Sequence, residues 1–191
     1  MDKTVVFVDD GFFRLVKKYL QEASNEKLQF LQTFRNICKN EDLSLGHLFV
    51  YMAPPYQSRT PSKQENIIRC QYDKMKKMLC GKKWTTLREG RCQRLKINGN
   101  FEYSQKGVDT HLVMDLVKMP VVFPNVKKII LIASDSDFIP AIKDLQDQNI
   151  EVILYTFFDK TRGSKFSTSN YLLKSVDRFV ELKKEFFKKN G

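Results

Sequence analysis

Apolar and polar positions along this chain switch repeatedly between two patterns. Residues 4–8, Thr-Val-Val-Phe-Val, form a short continuous apolar run, as in a strand buried on both faces. Asp9-Asp10-Gly11 ends it, and Phe12, Phe13, Leu15, Val16, Tyr19 and Leu20 then recur at helical spacing. A second helix is predicted from about Asn25 to Lys39, with Leu28, Leu31, Phe34, Ile37 and Cys38 turned inward. Leu48-Phe49-Val50-Tyr51 reads as another buried strand, stopped by Pro54-Pro55. Ser62 reads as the N-cap of a basic helix through Met78, with Glu65 at the capping-box position. Trp84 to Leu95 alternates loosely and, with Asn98-Gly99 and Phe101 to Tyr103, predicts short strands or a hairpin.

The second half repeats the pattern more clearly. Asp109 opens a helix with Leu112, Val113, Leu116 and Val117, and Pro120 is expected to close it. Residues 126–133 give a strong strand signal, Asp135 to Gln148 a helix, and Val152 to Tyr155 the next buried strand. Ser169 starts a last small helix, Phe179-Val180 a last strand, and Lys183 to Lys189 a basic helical tail. Buried strands alternating with helices predict an α/β sandwich with a mainly parallel sheet. The expected organisation is one domain over residues 1–182, with a basic segment at 59–106 and a basic tail at 183–191.

Composition narrows the picture. At 191 residues the chain can bury a full core without disulfides or a structural metal. With only 8 Gly and 6 Pro, and 15 Phe, it is neither disordered nor of low complexity. Cys38, Cys70, Cys80 and Cys92 form no C-x-x-C pair and only two histidines accompany them, which argues against zinc and for reduced thiols in the cytoplasm. The first residues are not expected to be a targeting segment, and no apolar run approaches the ~18 residues of a spanning helix, so no membrane partner is expected.

The net charge of +11 points to a polyanionic partner. It is concentrated: residues 59–106 hold thirteen basic and four acidic side chains, whereas residues 1–58 hold seven of each. Lys74, Lys76, Lys77, Lys82, Lys83, Arg88, Arg91, Arg94 and Lys106 are the candidate nucleic-acid contacts. Tyr72, Trp84, Phe101 and Tyr103 lie in the same segment, where stacking on bases and ordinary packing are both open, packing being the commoner role.

In parallel sheets, ligands bind beyond the carboxyl ends of the strands. Asp9 and Asp10 follow the first strand, Asp135 and Asp137 follow Ile129 to Ala133, and Asp109 sits at a helix start. If those two strands are neighbours, the acids converge. Two carboxylates ~4 Å apart repel by about 4 kcal/mol at an effective dielectric near 20. Oxygen-only ligands favour Mg²⁺ or Mn²⁺ as the neutralising ion. Asp109 and Asp135 also qualify as helix N-caps. Asp115, six residues past Asp109 and about 120° around the helix, is an outer ligand, a second-layer group or a structural acid. His111 is read as a packing or surface residue, and there is no Gly-rich phosphate loop.

Three blocks, Val6 to Phe13, Gln105 to Leu116 and Ile130 to Pro140, resemble the three motif blocks of LabA-like NYN domains, part of the PIN-like nuclease superfamily. The similarity extends over residues 4–182. It implies a Rossmann-like three-layer sandwich and Mg²⁺- or Mn²⁺-dependent cleavage of RNA, single-stranded or structured. The family's acids map onto Asp9, Asp109, Asp115, Asp135 and Asp137. Asp10 and Ser134 stand where many members carry Gly, and Phe12 where some carry Asn. The expected function is a metal-dependent ribonuclease with Asp9, Asp109, Asp135 and Asp137 as catalytic and metal-holding residues. The alternative is an RNA-binding module of the same fold that does not cleave. A Mg²⁺-dependent phosphatase is disfavoured, because Gly11 stands where its second Asp should be. The apolar side of the tail (Phe186, Phe187) leaves a homo-oligomer open, with docking onto the parent domain favoured.

Overall fold

The computed structural model describes residues 1–22, 30–97, 99–157, 166 and 169–188. Six strands form one sheet: β1 (Asp2–Asp9), β2 (Leu43–Met52), β3 (Thr85–Glu89), β6 (Lys128–Ile132), β7 (Glu151–Thr156) and β8 (Arg178–Glu181), in the order β3-β2-β1-β6-β7-β8. Every pairing is parallel. From β1 the chain winds outward to β3, then returns to β6 on the other side of β1. That reversal makes the carboxyl ends of β1 and β6 the switch point of the sheet, where such folds open a crevice.

Helices cover both faces. On one lie α1 (Asp10–Glu22), α2 (Phe30–Asn40) and the end of α3 (Lys63–Cys80). On the other lie α4 (Val108–Val122), α5 (Ile139–Asp147) and α6 (Asn170–Ser175). Alternate residues of β1 feed the two layers: Val6 and Val8 the first, Val5 and Phe7 the second. This period-2 split of an all-apolar strand is what burial on both faces requires. The sandwich expected from the sequence is therefore the observed architecture.

Several local expectations hold in detail. Ser62 and Glu65 form a reciprocal capping box, the Glu65 N–H donating to Ser62 Oγ at 3.1 Å and the Ser62 N–H to Glu65 Oε2 at 2.7 Å. Ser169 caps α6. Residues 25–29 of the predicted second helix, Leu28 among them, lie outside the described residues, as do Asn98 and Lys189.

Three details differ. Pro120 does not end α4, which runs to Val122. Proline removes only its own N–H, and the Phe123 N–H still reaches the Met119 carbonyl at 2.8 Å to close the turn. The helix read from Asp135 begins as a 3₁₀ turn, Ser136–Phe138, and becomes α-helical at Ile139, with Pro140 in its first turn. The tail forms a 3₁₀ turn, Lys184–Phe187, rather than a longer helix. Phe187 is fully buried and stacks on Phe13 with ring centroids 5.5 Å apart.

The loosely alternating region divides in two. β3 joins the main sheet beside β2, while β4 (Arg91–Ile97) and β5 (Asn100–Lys106) form a separate antiparallel hairpin. A two-stranded hairpin is marginal alone. Its base is held at Gly90, where a β-carbon would stand 2.5 Å from the Lys106 carbonyl and 2.6 Å from Val108 Cγ2.

Phe13 lies at the centre of the first layer, between Phe30, Phe34 and Phe187. Phe13→Ala is expected to cost about 3–5 kcal/mol of unfolding free energy in urea titrations, because three rings cannot collapse into the void. A loss below ~1 kcal/mol would show that this ring cluster does not hold the layer.

Candidate functional site

The site forms where three chain segments meet at the switch point. Asp9 is the last residue of β1, and its Oδ1 accepts the N–H groups of Gly11 (3.0 Å) and Phe12 (3.3 Å), capping α1. Asp135, three residues past β6, accepts the Asp137 N–H at 2.9 Å. That bond folds the Asp135-Ser136-Asp137 turn, and the buried Phe138 anchors it. Asp109 occupies the first turn of α4, behind Gly107, whose φ of +80° suits a residue without a β-carbon.

These four acids influence one another. Burial first, then Asp109 and Asp135, push the Asp9 carboxyl up to about 6 against the hydrogen bonds from Phe12 and Gly11. Burial, Asp135 and Asp137 likewise raise Asp109. Asp109, Asp135 and Asp137 sit on the exposed rim and Asp9 lies deeper. The starts of α1, of α4 and of the Ser136 turn all face this rim, adding the positive ends of helix dipoles.

The donor set is carboxylate only, which fits Mg²⁺ or Mn²⁺ and not zinc. Among the described residues no three His, Cys, Asp or Glu side chains form a ready-made coordinating cluster. The fit therefore rests on the chemistry of the donors and on the repulsion that a cation would relieve. Asp9, Asp109, Asp135 and Asp137 are the residues that could hold it.

Asp10 turns away from Asp9. It is 3% exposed, pairs with Arg14 at 2.5 Å, and leaves Oδ1 without a hydrogen-bond partner. Burial lifts its carboxyl to about 6 despite Arg14. Asp9 is thus the one of the two adjacent acids that faces the crevice.

Asp115 resolves to the structural alternative. One oxygen accepts the Tyr51 hydroxyl (3.1 Å) and Arg88 Nε (2.8 Å), and the other accepts Arg88 Nη2 (3.0 Å). It is buried and both oxygens are occupied, which favours the structural role over the outer-ligand role among those the sequence leaves open. Arg88 directs Nε and Nη2 to Asp115, so it does not stand as an unpaired cation.

The remaining basic candidates scatter. Lys76 pairs with Glu89 at 2.5 Å. Lys74 and Lys77 lie exposed in the second half of α3. Lys82 and Lys83 precede β3, at the amino edge of a parallel sheet, away from the acids. Lys82 sits 5.8 Å from the Trp84 ring. Arg91, Arg94 and Lys106 belong to the hairpin, whose second strand leads through Gly107 into Asp109. Of the nine, these three are on the element that borders the acids. Gln105 was not singled out by charge or motif, yet its amide lies 3.8 Å from where a Gly11 β-carbon would be, a point 3.2 Å from Asp9 Oδ1. Its only sequence signal was membership of the Gln-Lys-Gly-Val-Asp block.

Two carboxyls that titrate near 6 in the fold and near 3.8 when unfolded bind more protons folded than unfolded between those values. Metal-free stability is therefore expected to fall as pH rises from 4 to 7, by about 2–3 kcal/mol per group. Asp10→Asn should remove about half of that fall and leave the protein more stable than the parent at pH 7, read from urea unfolding at several pH values. A parent whose stability is flat across this range would refute the assignment.

A crystal structure of a Vibrio parahaemolyticus protein of unknown function has a similar fold, with a TM-score of 0.59 and 18% sequence identity, covering 98% of this chain and 96% of that one. No curated protein matches. The NYN domain family matches residues 3–183, from the start of β1 past the end of β8 and through all three acidic blocks. The chain is a member of the NYN family of nuclease-like domains.

Proposed function

We propose that this chain is a metal-dependent ribonuclease, similar to LabA-like NYN domains, that hydrolyses RNA phosphodiester bonds in the cytoplasm. The observation that carries the reading is the convergence of Asp9, Asp109, Asp135 and Asp137 from three distant segments onto one edge, where burial first and acidic neighbours second raise Asp9 and Asp109. A fold gains nothing in stability from four carboxylates gathered at one edge of a sheet. Their placement makes sense as a socket for positive charge beside a phosphate.

Each residue has a separable task. Asp9 is oriented by the two N–H groups of the α1 cap that Oδ1 accepts. Asp135 is fixed through the Asp137 N–H, so the pair moves as one turn. Asp109, in the first turn of α4, is raised by burial and by the charges of Asp135 and Asp137. The chemistry supplied by Mg²⁺ or Mn²⁺ held there is neutralisation of phosphate charge and acidification of the attacking water. Helix N-termini around the rim favour the phosphate itself. All four cysteines are free thiols, in keeping with a reducing compartment.

The competing reading is an RNA-binding module of the same fold that does not cleave, and the basic hairpin serves it equally. Metal separates the two: a binder without chemistry is indifferent to Mn²⁺ or EDTA. The expected outcome is Mg²⁺- or Mn²⁺-dependent cutting of single-stranded RNA, reduced at least about 100-fold in Asp135→Asn. Cutting by that variant at the parental rate would overturn the assigned site.

A further inference from the structure

The hairpin carries more than charge. In its register Arg94 opposes Tyr103 and Lys96 opposes Phe101, with Cys92 opposite Gln105. Opposed residues share a face. One face of the hairpin therefore reads, from tip to base, Lys96 and Phe101, then Arg94 and Tyr103, then Cys92 and Gln105. Phe101 is 54% exposed and Tyr103 59%. The Arg94 guanidinium lies 4.4 Å from the Phe101 ring centroid and 4.6 Å from that of Tyr56, and Tyr56 stands 5.5 Å from Tyr103. A cation stacked on rings is stabilised by them and in turn holds them in place. The other aromatic candidates of the basic segment are not available: Tyr72 is 2% exposed and Trp84 packs against the first core layer.

At its base the same face opens into a cavity of about 210 Å³ bordered by Arg14, Pro54, Tyr72, Cys92 and Gln105. Gln105 also flanks the open side of Gly11 beside Asp9. Rings, cation, cavity and carboxylate thus follow one another along a single surface.

We infer that this face of the β4–β5 hairpin is a stacking platform for the unpaired bases of a single-stranded polynucleotide, leading its backbone toward Asp9. Exposed rings interleaved with cations match a ligand that has flat faces and negative charge together. Phe101 and Tyr103 are about 7 Å apart along the strand, twice the ~3.4 Å rise of a stacked nucleic-acid strand. Bases would therefore bind splayed, one per ring. A duplex, whose base faces are already stacked on one another, cannot use such a surface except at its ends. The direction toward Asp9 rests on the nuclease reading; the binding itself does not.

The test is fluorescence anisotropy in EDTA, where binding is read without cleavage. The probes are a fluorescein-labelled oligouridylate of about 12 nucleotides and an RNA duplex of equal length. The parent is expected to prefer the single strand. Phe101→Ala and Tyr103→Ala should each weaken single-strand binding about 5- to 20-fold and leave duplex binding unchanged, whereas Phe101→Tyr should bind as the parent does. Both rings are exposed, so the melting temperature should not move. Parental affinity in the alanine variants, or an equal loss for both probes, overturns the platform. So does unchanged RNA binding accompanied by a shift in sedimentation, which would make the face a contact between protein copies. The two readings fail separately. A parent that never cuts RNA, while the alanine variants lose single-strand affinity, sinks the nuclease and leaves the platform standing. Metal-dependent cutting with unchanged affinity in those variants does the reverse.

Discussion

The pairing of β1 with β6 sets the positions of everything that matters chemically. Val5 to Val8 lie against Ile129 to Ile132, all of them buried, in a register with no irregularity. Because the two strands are parallel, they end on the same side, and the residues that follow them must emerge side by side. Asp9 and Asp135 are neighbours for that reason and no other. A one-residue slip would exchange the two faces of β1 and bury the wrong half of an all-apolar strand, which the two unlike helix layers do not tolerate. The site inherits its precision from the most deeply buried part of the sheet.

That arrangement imposes an electrostatic cost which the rest of the rim partly offsets. Burial and like charge both work against ionised Asp9. Hydrogen bonds from the first turn of α1 work for it, as do the positive ends of the helices that begin there. Asp10 shows the same tension one residue later, with Arg14 as its partial remedy. Asp115 shows what a buried acid looks like when the protein does satisfy it: two oxygens accept from three donors, two of them on a bidentate arginine. The contrast between Asp115 and Asp9 separates an acid whose charge is met by donors from one that burial and neighbouring acids push toward protonation.

Much of this was legible in the sequence because period and punctuation agree. Apolar runs at 4–8 and 129–133, each followed at once by acids, are short-range signals, and the parallel fold converts them into a place. The capping box at Ser62 and Glu65 is equally local. Side-chain partnerships across the sheet were not legible. Arg88 and Asp115 are 27 residues apart, and Tyr51 and Asp115 are 64 apart. Nothing in spacing links them until β2, β3 and α4 are packed. Placing Arg88 among the nucleic-acid contacts and leaving Asp115 open between ligand, second-layer group and structural acid are therefore the same omission seen from its two ends. Pro120 misled for a different reason, since a breaker near a helix end removes one hydrogen bond that the last turn can lose.

The charge bias of residues 59–106 is also changed by folding. As a sum it describes one basic segment. In three dimensions it divides by topology. α3 delivers its second half toward the amino edge of the sheet, where Lys82 and Lys83 follow, and internal partners occupy Lys76 and Arg88. The hairpin, fixed at Gly90 and continuous with Asp109, brings Arg91, Arg94 and Lys106 beside the acids. There the cations come interleaved with exposed rings. A sheet-edge cluster of acids would repel a polyanion if it met one unaided. On the proposed function, a basic, aromatic arm beside that cluster would let binding and chemistry occupy adjoining surfaces of opposite charge, with Gln105 beside Gly11 where they meet.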